Sequence, residues 1–467
     1  METKILKSKS QLPVILVVFG ITGDLIKQKV LSSLYSLFLD GKFTKGSKII
    51  CLIRKDWQNK DLREYLEEIM LDGKYQKTEK YDDFLKLFEV AIGSFDEKEG
   101  FVKLSKQITD IEMNLGISEK IFYLAISPEH FGVVIQNIGE SGKSVLTEES
   151  FKEIKIIIEK PFGLDLNNAL ELDTLISKYF GDDQIYRVDH YLAKHSLRLL
   201  EKFSIEKEFG KEFALTNATN IKINILEEKG VEGRVSFYEK IGALRDVGQN
   251  HLLEMFATLL STQSPKKSLD YVANRAEAIK SLEVLEKNTI GKKVVKVQSK
   301  KYLKLSGVDK NSNTETYFDI FTTSKYFEGK ELSVELEGGK YQPQTESIIN
   351  ITYPDHLIDI SLKPREEIFL TSTSKPGKVI KKLSLDSKDK HSEYYTIFLD
   401  AINKDSKYFV SKEEVINEWK FVEPILEYWK EYPIQKADKN SLAWKLLVVG
   451  YAIILLLCLI VIIQMSR

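Results

Sequence analysis

The sequence predicts an α/β domain built on a parallel sheet, then an α+β domain with a large antiparallel sheet, and a single C-terminal transmembrane helix. Apolar runs and amphipathic segments alternate through about residue 196, as in parallel α/β sheets. Later segments alternate apolar and polar residues, which is typical of antiparallel strands with one covered face. Residues 446–463 carry no charge and are almost entirely apolar.

The composition narrows the class of protein. A chain of 467 residues is too long for one ordinary core and fits two or three domains. Lys+Arg 68 against Asp+Glu 69 argues against a nucleic-acid binder held by bulk charge. Two cysteines exclude a disulfide scaffold and a zinc site made of cysteines, and no two histidines have the spacing of a helical metal site. No metal site is predicted.

The elements of the first domain follow from buried strands that alternate with amphipathic helices. The predicted strands are 14–19, 48–53, 121–126, 155–158 and 185–188. The predicted helices are 26–38, 61–70, 81–88, 131–138 and 166–178. The first apolar run is six residues long, too short for a signal peptide, and a glycine turn follows it.

The second domain has alternating strands and three intervening helices. The strands are predicted at 220–226, 332–336, 347–352 and 357–362, and the helices at 249–260, 393–401 and 413–428. The predicted domain bounds are 12–196 for the first domain, 197–430 for the second, 431–445 for a polar linker and 446–463 for a membrane anchor.

The first motif is Gly20-Ile-Thr-Gly23-Asp24-Leu25, between the first strand and its helix. Glycines let the backbone approach a pyrophosphate, and the helix N-terminus offers N–H groups and a positive dipole end. This strand–turn–helix context favours a phosphate-binding turn, although an ordinary tight turn remains an alternative. Arg54 and Lys55 follow the second strand, where cations suit the 2′-phosphate of NADP, although Asp56 follows and a solvated charged loop is also possible.

The second motif is a pair of segments that are dense in charged and polar residues. They are YRVDHYLAK (186–194) and GALRDVGQNH (242–251). A histidine oriented by an aspartate makes a good general base, and a neighbouring histidine and lysine can hold a phosphate dianion. Either histidine could instead be a hydrogen-bonded structural residue.

The C-terminal apolar stretch is long enough to cross a bilayer. About 20 apolar residues span a hydrocarbon core of about 30 Å, and a buried core helix would keep a polar stripe that 446–463 lacks. Four lysines precede the stretch (430, 436, 439 and 445), and Arg467 follows it. The positive-inside tendency therefore predicts a tail anchor with the large domains in the cytosol.

At these motifs the sequence resembles the glucose-6-phosphate dehydrogenase family. The matching stretches are FGITGDLIKQK (19–29), FYLAISP (122–128), EKPFG (159–163), YRVDHYLAK (186–194), GVEGRVSFYEKIGALRDVGQNHLLEM (230–255) and YFVSKEEVINEWKFVEPILEYW (408–429). The resemblance implies a Rossmann-like coenzyme domain, a β+α substrate domain and a homodimer or homotetramer built through the large sheet. It also implies NADP-dependent oxidation of glucose 6-phosphate to 6-phosphogluconolactone, the first step of the oxidative pentose phosphate pathway.

The resemblance also assigns roles to individual residues. The expected catalytic pair is the base His251 and its carboxylate partner Asp189. The residues expected to bind the coenzyme are Gly20, Thr22, Gly23, Asp24, Leu25, Lys27, Arg54, Tyr123 and Lys160. The residues expected to bind the sugar phosphate are Lys160, His190, Tyr191, Lys194, Glu227, Asp246 and Lys340, with Lys29 nearby. In the family the peptide bond at the position of Lys160–Pro161 tends to be cis.

Several departures from the family keep a second function class open. The family's DHYLGKE reads DHYLAKH, which places Ala193 and His195, and its RTGK reads EGGK, which places Glu337 where a cation is common. The family usually has a basic residue shortly after the position of Lys340, and here Thr345 or a near neighbour takes its place. The alternative is therefore a noncatalytic or regulatory relative that binds sugar phosphate or partner proteins.

Overall fold

The computed structural model describes residues 12–54, 57–72, 78–205, 210, 212–266, 270–373, 378–384, 391–432 and 434–436. The chain divides into two compact units. We call them the parallel-sheet unit (Met1–Gly163, Asn167–Ala193 and Asp389–Val410) and the mixed-sheet unit (Leu164–Leu166, Lys194–Lys388 and Ser411–Arg467).

The parallel-sheet unit is organised by a sheet that has six strands among the described residues, in the order β3-β2-β1-β4-β5-β6. Every neighbouring pair of these strands is parallel, as the sequence predicts for the five strands other than β3, which it did not predict. Strands such as β1 and β4 are wholly buried, because helices cover both faces of such sheets. The strands are β1 (Val14–Phe19), β2 (Lys48–Ile53), β3 (Phe88–Ile92), β4 (Glu119–Leu124), β5 (Ile154–Glu159) and β6 (Ile185–Val188).

Helices connect these strands and begin with a π-helical turn, Ile26–Val30, that leads into α1. The helices are α1 (Leu31–Leu39), α2 (Asn59–Asp72), α3 (Tyr81–Leu85), α4 (Lys98–Leu115), α5 (Phe131–Val145), α6 (Glu148–Lys152) and α7 (Leu166–Ser177).

The mixed-sheet unit contains a sheet that has nine strands in the described part of the chain, in the order β14-β13-β12-β11-β7-β10-β9-β8-β15. The strands are β7 (Asn220–Leu226), β8 (Val294–Gln298), β9 (Tyr317–Ser324), β10 (Leu332–Gly339), β11 (Glu346–Thr352), β12 (His356–Lys363), β13 (Glu367–Ser372), β14 (Val379–Ser384) and β15 (Gln435–Lys436).

The prediction of an antiparallel second sheet needs a correction, because the sheet is mixed. β10 runs parallel to β7, and β15 runs parallel to β8, while the other neighbouring pairs are antiparallel. Alternating apolar and polar residues report that one face of a strand is covered, and a parallel strand with one open face has the same pattern. More than 100 residues separate β7 from β10, which leaves room for the crossover that a parallel pair needs.

Seven α-helices and a π-helical segment follow β6 within the described residues. They are α8 (His195–Ile205), α9 (Val235–Ala243), the π-helical segment Leu244–Leu252, α10 (Leu253–Ser261), α11 (Tyr271–Lys280), α12 (Lys287–Lys293), α13 (Glu393–Ile402) and α14 (Lys412–Glu431) within the described residues. Although α13 falls inside the predicted range 197–430, it belongs to the parallel-sheet unit. There Phe398 of α13 packs edge-on against Tyr123 of β4, with ring centroids 5.1 Å apart.

In the described ranges no helix combines the length and the apolar character that crossing a bilayer requires. The predicted transmembrane helix 446–463 lies outside the described residues. The short strand β15 lies within the predicted linker 431–445 and pairs with the end of β8.

Candidate active site

The glycine turn lies where the strand order of the parallel sheet reverses, between β1 and β4, which is where open α/β sheets bind their ligands. Gly20 has φ +81°, and a Cβ there would come within 2.3 Å of the carbonyl oxygen of Ala125. The N–H of Gly23 donates to the carbonyl of Gly20 at 2.9 Å and closes the turn. Only glycine fits Gly20, so the backbone is bare where a pyrophosphate would approach.

The polar side chains of this turn are open to solvent. Thr22, Asp24 and Lys27 are exposed, and Leu25 is half-buried. Arg54 follows the end of β2, the neighbouring strand, and is also exposed. The carboxyl ends of β1 and β2 meet at one edge of the sheet, so these groups fit a dinucleotide with a phosphorylated ribose.

Tyr123 and Glu159 form a hydrogen-bonded group at the ends of β4 and β5. The hydroxyl of Tyr123 donates to Glu159 Oε1 at 2.9 Å, and the hydroxyl of Tyr394 on α13 donates to the same oxygen at 3.1 Å. Burial raises the pKa of Glu159 to about 7, although the two hydroxyls and Lys160 oppose that rise. Tyr123 is fully buried, and its hydroxyl points at Glu159.

Lys160 follows directly, and its bond to Pro161 is cis. It is half-buried at the carboxyl end of β5. The YRVDHYLAK segment continues from β6. The Asp189 side chain is 2% exposed and accepts the N–H of Tyr191 at 2.8 Å, which fixes the turn that presents His190. His190 is half-buried, and its ring lies edge-on to that of Tyr191.

Lys194 is the first residue of the mixed-sheet unit after this turn. It is buried, and its carbonyl accepts the N–H of Arg198 in the first turn of α8. Because the described structure divides between Ala193 and Lys194, the predicted phosphate binders His190 and Tyr191 belong to one unit and Lys194 to the other.

Three predicted sugar-binding residues come together within the mixed-sheet unit. The Lys340 ammonium donates to the carboxylate of Glu227 and lies 3.0 Å from Asp246 Oδ2. Burial lowers the pKa of Lys340, but the Asp246 and Glu227 carboxylates outweigh it, so the pKa is raised and the ammonium stays charged. Glu227 and Lys340 directly follow the parallel strands β7 and β10, which is why they meet.

Asp246 and His251 lie on the same π-helical segment, Leu244–Leu252. His251 is 3% exposed. Asn250 joins the two ends of this stretch, since its amide donates to the carbonyl of Arg245 at 2.9 Å and its oxygen accepts the N–H of His251 at 2.8 Å. The predicted base is therefore held in a buried and hydrogen-bonded turn. His251 and Asp189 belong to different units, and their pairing stays a prediction.

Glu337, the most marked departure in the sequence, belongs to a different group. It lies 2.9 Å from the Lys222 ammonium and accepts the Tyr317 hydroxyl at 2.7 Å. The next residue, Gly338, packs against Val247 of the π-helical segment. Successive strand residues face opposite sides, so Glu337 lies on the side of the sheet away from that segment.

The sequence motifs gave no role to several residues that the structure places in the site or beside Glu337. Lys222 neutralises Glu337, Asn250 bridges the His251 turn, and Glu418 accepts a hydrogen bond from Gln249. Gln249 and Asn250 were visible as two amides beside the predicted base. Lys222 and Glu418 carried no local signal, because each acts across more than 100 residues of sequence.

Comparison with known proteins agrees with this arrangement. Residues 17–198 match the model of the glucose-6-phosphate dehydrogenase NAD-binding domain, and residues 208–444 match the model of the C-terminal domain of the same family. The glucose-6-phosphate 1-dehydrogenase of Cyberlindnera jadinii is 30% identical, covering 89% of this chain and 88% of its own. That of Borreliella burgdorferi is 28% identical, covering 90% of this chain and 92% of its own.

A solved structure of a glucose-6-phosphate dehydrogenase in complex with its substrate glucose-6-phosphate is also similar. It shares 25% identity, with a TM-score of 0.80 over 92% of this chain and 95% of that one. The resemblance seen in the motifs is thus confirmed over nearly the whole described chain. The chain belongs to the glucose-6-phosphate dehydrogenase family.

Proposed function

We propose that this protein oxidises the anomeric carbon of glucose 6-phosphate with NADP and releases 6-phosphogluconolactone. The observation that carries the proposal is the single buried π-helical segment that presents Asp246 and His251, with Asp246 already paired to Lys340. The base and one sugar-hydroxyl partner, Asp246, are thereby fixed on one helical segment, and Lys340 ties that segment to Glu227, as oriented catalysis requires.

His251 takes the proton from the anomeric hydroxyl in this proposal. Asp189 orients the imidazole and stabilises the imidazolium that forms, as an aspartate does beside a catalytic histidine. Glu227, Asp246 and Lys340 hold the sugar hydroxyls, because together they offer acceptors and a donor within one ion-paired cluster. His190, Tyr191 and Lys194 hold the 6-phosphate.

The coenzyme belongs at the carboxyl edge of the parallel sheet. Gly20 and Gly23 leave room for its pyrophosphate, Thr22, Asp24, Leu25 and Lys27 surround it, and Arg54 takes the 2′-phosphate. Tyr123 and Lys160 complete this set, and Lys160 also reaches the sugar. When bound, NADP acts as the hydride acceptor.

The enzyme is favoured over a noncatalytic relative because the departure at Glu337 lies on the face of the sheet away from Lys340's neighbour, the π-helical segment. Its charge is also balanced locally by Lys222. We therefore do not expect Glu337 to weaken sugar binding. We further propose that the coenzyme domain is 12–196, that the substrate domain is 197–430, and that two or four copies associate through the large sheet.

The test is NADPH formation by the purified protein. Glucose 6-phosphate with NADP should give NADPH absorbance, glucose without phosphate should give far less, and a chelator should not reduce the rate. Binding of glucose 6-phosphate without any NADPH formation would contradict the enzyme and favour the noncatalytic alternative.

The membrane anchor is also a proposal. Residues 446–463 would insert as one helix and leave the globular part in the cytosol, supported by the absence of charge across the stretch. A basic surface adds support, because Lys300, Lys301, Lys304 and Lys436 are exposed. β15 runs parallel to β8, and Lys436 pairs with Gln298, two residues before Lys300. Such lysines suit an anionic lipid surface beside an anchor.

A further inference from the structure

The segment that carries His251 is a π-helix, and such segments need support from neighbours. It runs over nine residues, Leu244–Leu252, before the chain returns to α-helical geometry in α10. π-helical turns are rare and are frequently found at functional sites. We call Glu227, Asp246 and Lys340 the sugar cluster. The wider turn changes which side chains point towards this cluster. The contacts that hold the π-helical segment in place therefore also set the direction of His251.

Gln249 links this segment to α14. Its side-chain amide donates to Glu418 Oε2 at 2.8 Å, and both residues are 1% exposed. A hydrogen bond from an amide to a buried carboxylate is charge-assisted and strengthened by the low local dielectric. Gln249 lies three residues after Asp246 and two before His251, so the bond holds the middle of the turn.

Asn250 carries this restraint to both ends of the turn. Its amide lies 3.5 Å from Gln249 Oε1, at the limit of a hydrogen bond, and donates to the carbonyl of Arg245 at 2.9 Å. Its oxygen accepts the N–H of His251. The chain of contacts therefore runs from Glu418 through Gln249 and Asn250 to the backbone of the predicted base.

Glu418 itself stands on a firmly held helix. α14 begins with a capping box, in which Ser411 and Glu414 bond each other's backbone N–H groups. Glu414 also accepts from the fully buried Arg275, whose Nε lies 2.5 Å from Glu414 Oε1 and 3.6 Å from Glu254 Oε2 on α10. Glu418 thus contacts Gln249 of the π-helical segment directly, and Glu414, one turn earlier on α14, is linked through Arg275 to Glu254 on α10.

We propose that Glu418 is a positioning residue for His251, acting through Gln249. The inference rests on the proposed role of His251 as the base. If the imidazole were displaced, glucose 6-phosphate and NADP would still bind, but the imidazole would no longer be aligned for proton transfer. The turnover number should therefore fall more than the affinity for either substrate.

The test compares Glu418→Ala, which removes the acceptor, with Glu418→Gln, which keeps an acceptor oxygen. We expect Glu418→Ala to lower kcat about ten- to a hundredfold, the scale of a misplaced catalytic group. The KM for NADP should stay within about twofold, because the coenzyme turn belongs to the parallel-sheet unit and Glu418 to the mixed-sheet unit. Glu418→Gln should recover most of the rate. Glu427→Ala, an exposed site on the same helix, is the matched control.

A double-mutant cycle tests the route through Gln249. Gln249→Met keeps the side-chain volume and removes the amide, so the combination with Glu418→Ala should slow turnover no more than the worse single change. If Glu418→Ala folds poorly, the single variant Gln249→Met still tests the proposal, because it alone should reproduce the loss of kcat. Additive losses, or an unchanged kcat in both single variants, would overturn the proposal.

The outcomes separate this inference from the proposed function. An inactive parent protein would remove the proposed function itself. An active parent whose rate survives His251→Asn would remove the base, and Glu418 would then have nothing to position. An active parent that depends on His251 but not on Glu418 or Gln249 would refute only the positioning role.

Discussion

Replacing Glu159 by Gln should remove a specific pH dependence of stability. The carboxyl group lies at the end of β5 and accepts the hydroxyls of Tyr123 and Tyr394 on one oxygen. Burial raises its pKa from 4.5 to about 7. An amide at this position keeps an oxygen for both hydroxyls and never ionises, so the variant isolates the effect of the charge.

The sign and size follow from that pKa. Between the ordinary 4.5 and about 7 the folded protein holds a proton that the unfolded chain has lost, so this group's contribution to stability is lost as pH rises through about 7. The difference between the two values corresponds to up to about 3 kcal/mol at pH 8. Below pH 4.5 both states are protonated and the full contribution is present.

Urea unfolding of parent and variant across this pH range measures the effect. The variant should gain stability relative to the parent as pH rises from about 4.5 to 8, and the gain should stop there. Glu149→Gln, at an exposed position on α6, is the control and should track the parent. A Glu159→Gln curve parallel to the parent curve would refute the raised pKa and the burial argument behind it.

Three further predictions concern binding and the tail. Arg54→Ala should raise the KM for NADP about tenfold more than that for NAD, since a charge-assisted contact to the 2′-phosphate is worth about 1.5–3 kcal/mol; an unchanged NADP/NAD ratio would assign the phosphate to another group. Lys194→Ala should raise the KM for glucose 6-phosphate far more than that for glucose, because only the former carries a phosphate dianion; equal effects on both sugars would move the phosphate site elsewhere. Truncation after Lys436 should leave an active enzyme in the soluble fraction, whereas the full chain should stay with membranes after alkaline carbonate; extraction of the full chain would refute the anchor.

The coenzyme side of the molecule could be predicted well from sequence because its signals are local. The strand 14–19, its glycine turn and the following helix are contiguous, and the buried parallel strands are mostly apolar. The sugar cluster was found only by resemblance. Glu227 and Lys340 lie 113 residues apart and meet because β7 and β10 are parallel.

Strand direction and side-chain direction are two features that the sequence did not reveal. Alternation does not distinguish a parallel from an antiparallel neighbour, so the mixed sheet was predicted as antiparallel. The side of the sheet that Glu337 faces depends on strand register, and its partner Lys222 is remote in sequence. The π-helical form of 244–252 escaped prediction, since its apolar spacing resembles that of an α-helix.

The most direct test of the central claim is the activity of His251→Asn in the full-length protein. The account predicts that NADPH formation from glucose 6-phosphate falls at least about a hundredfold, as expected for loss of a general base. NADP affinity should remain at the parent value, because His251 lies in the mixed-sheet unit and the coenzyme turn in the other. A turnover number within about threefold of the parent would contradict the assignment of His251 as the base.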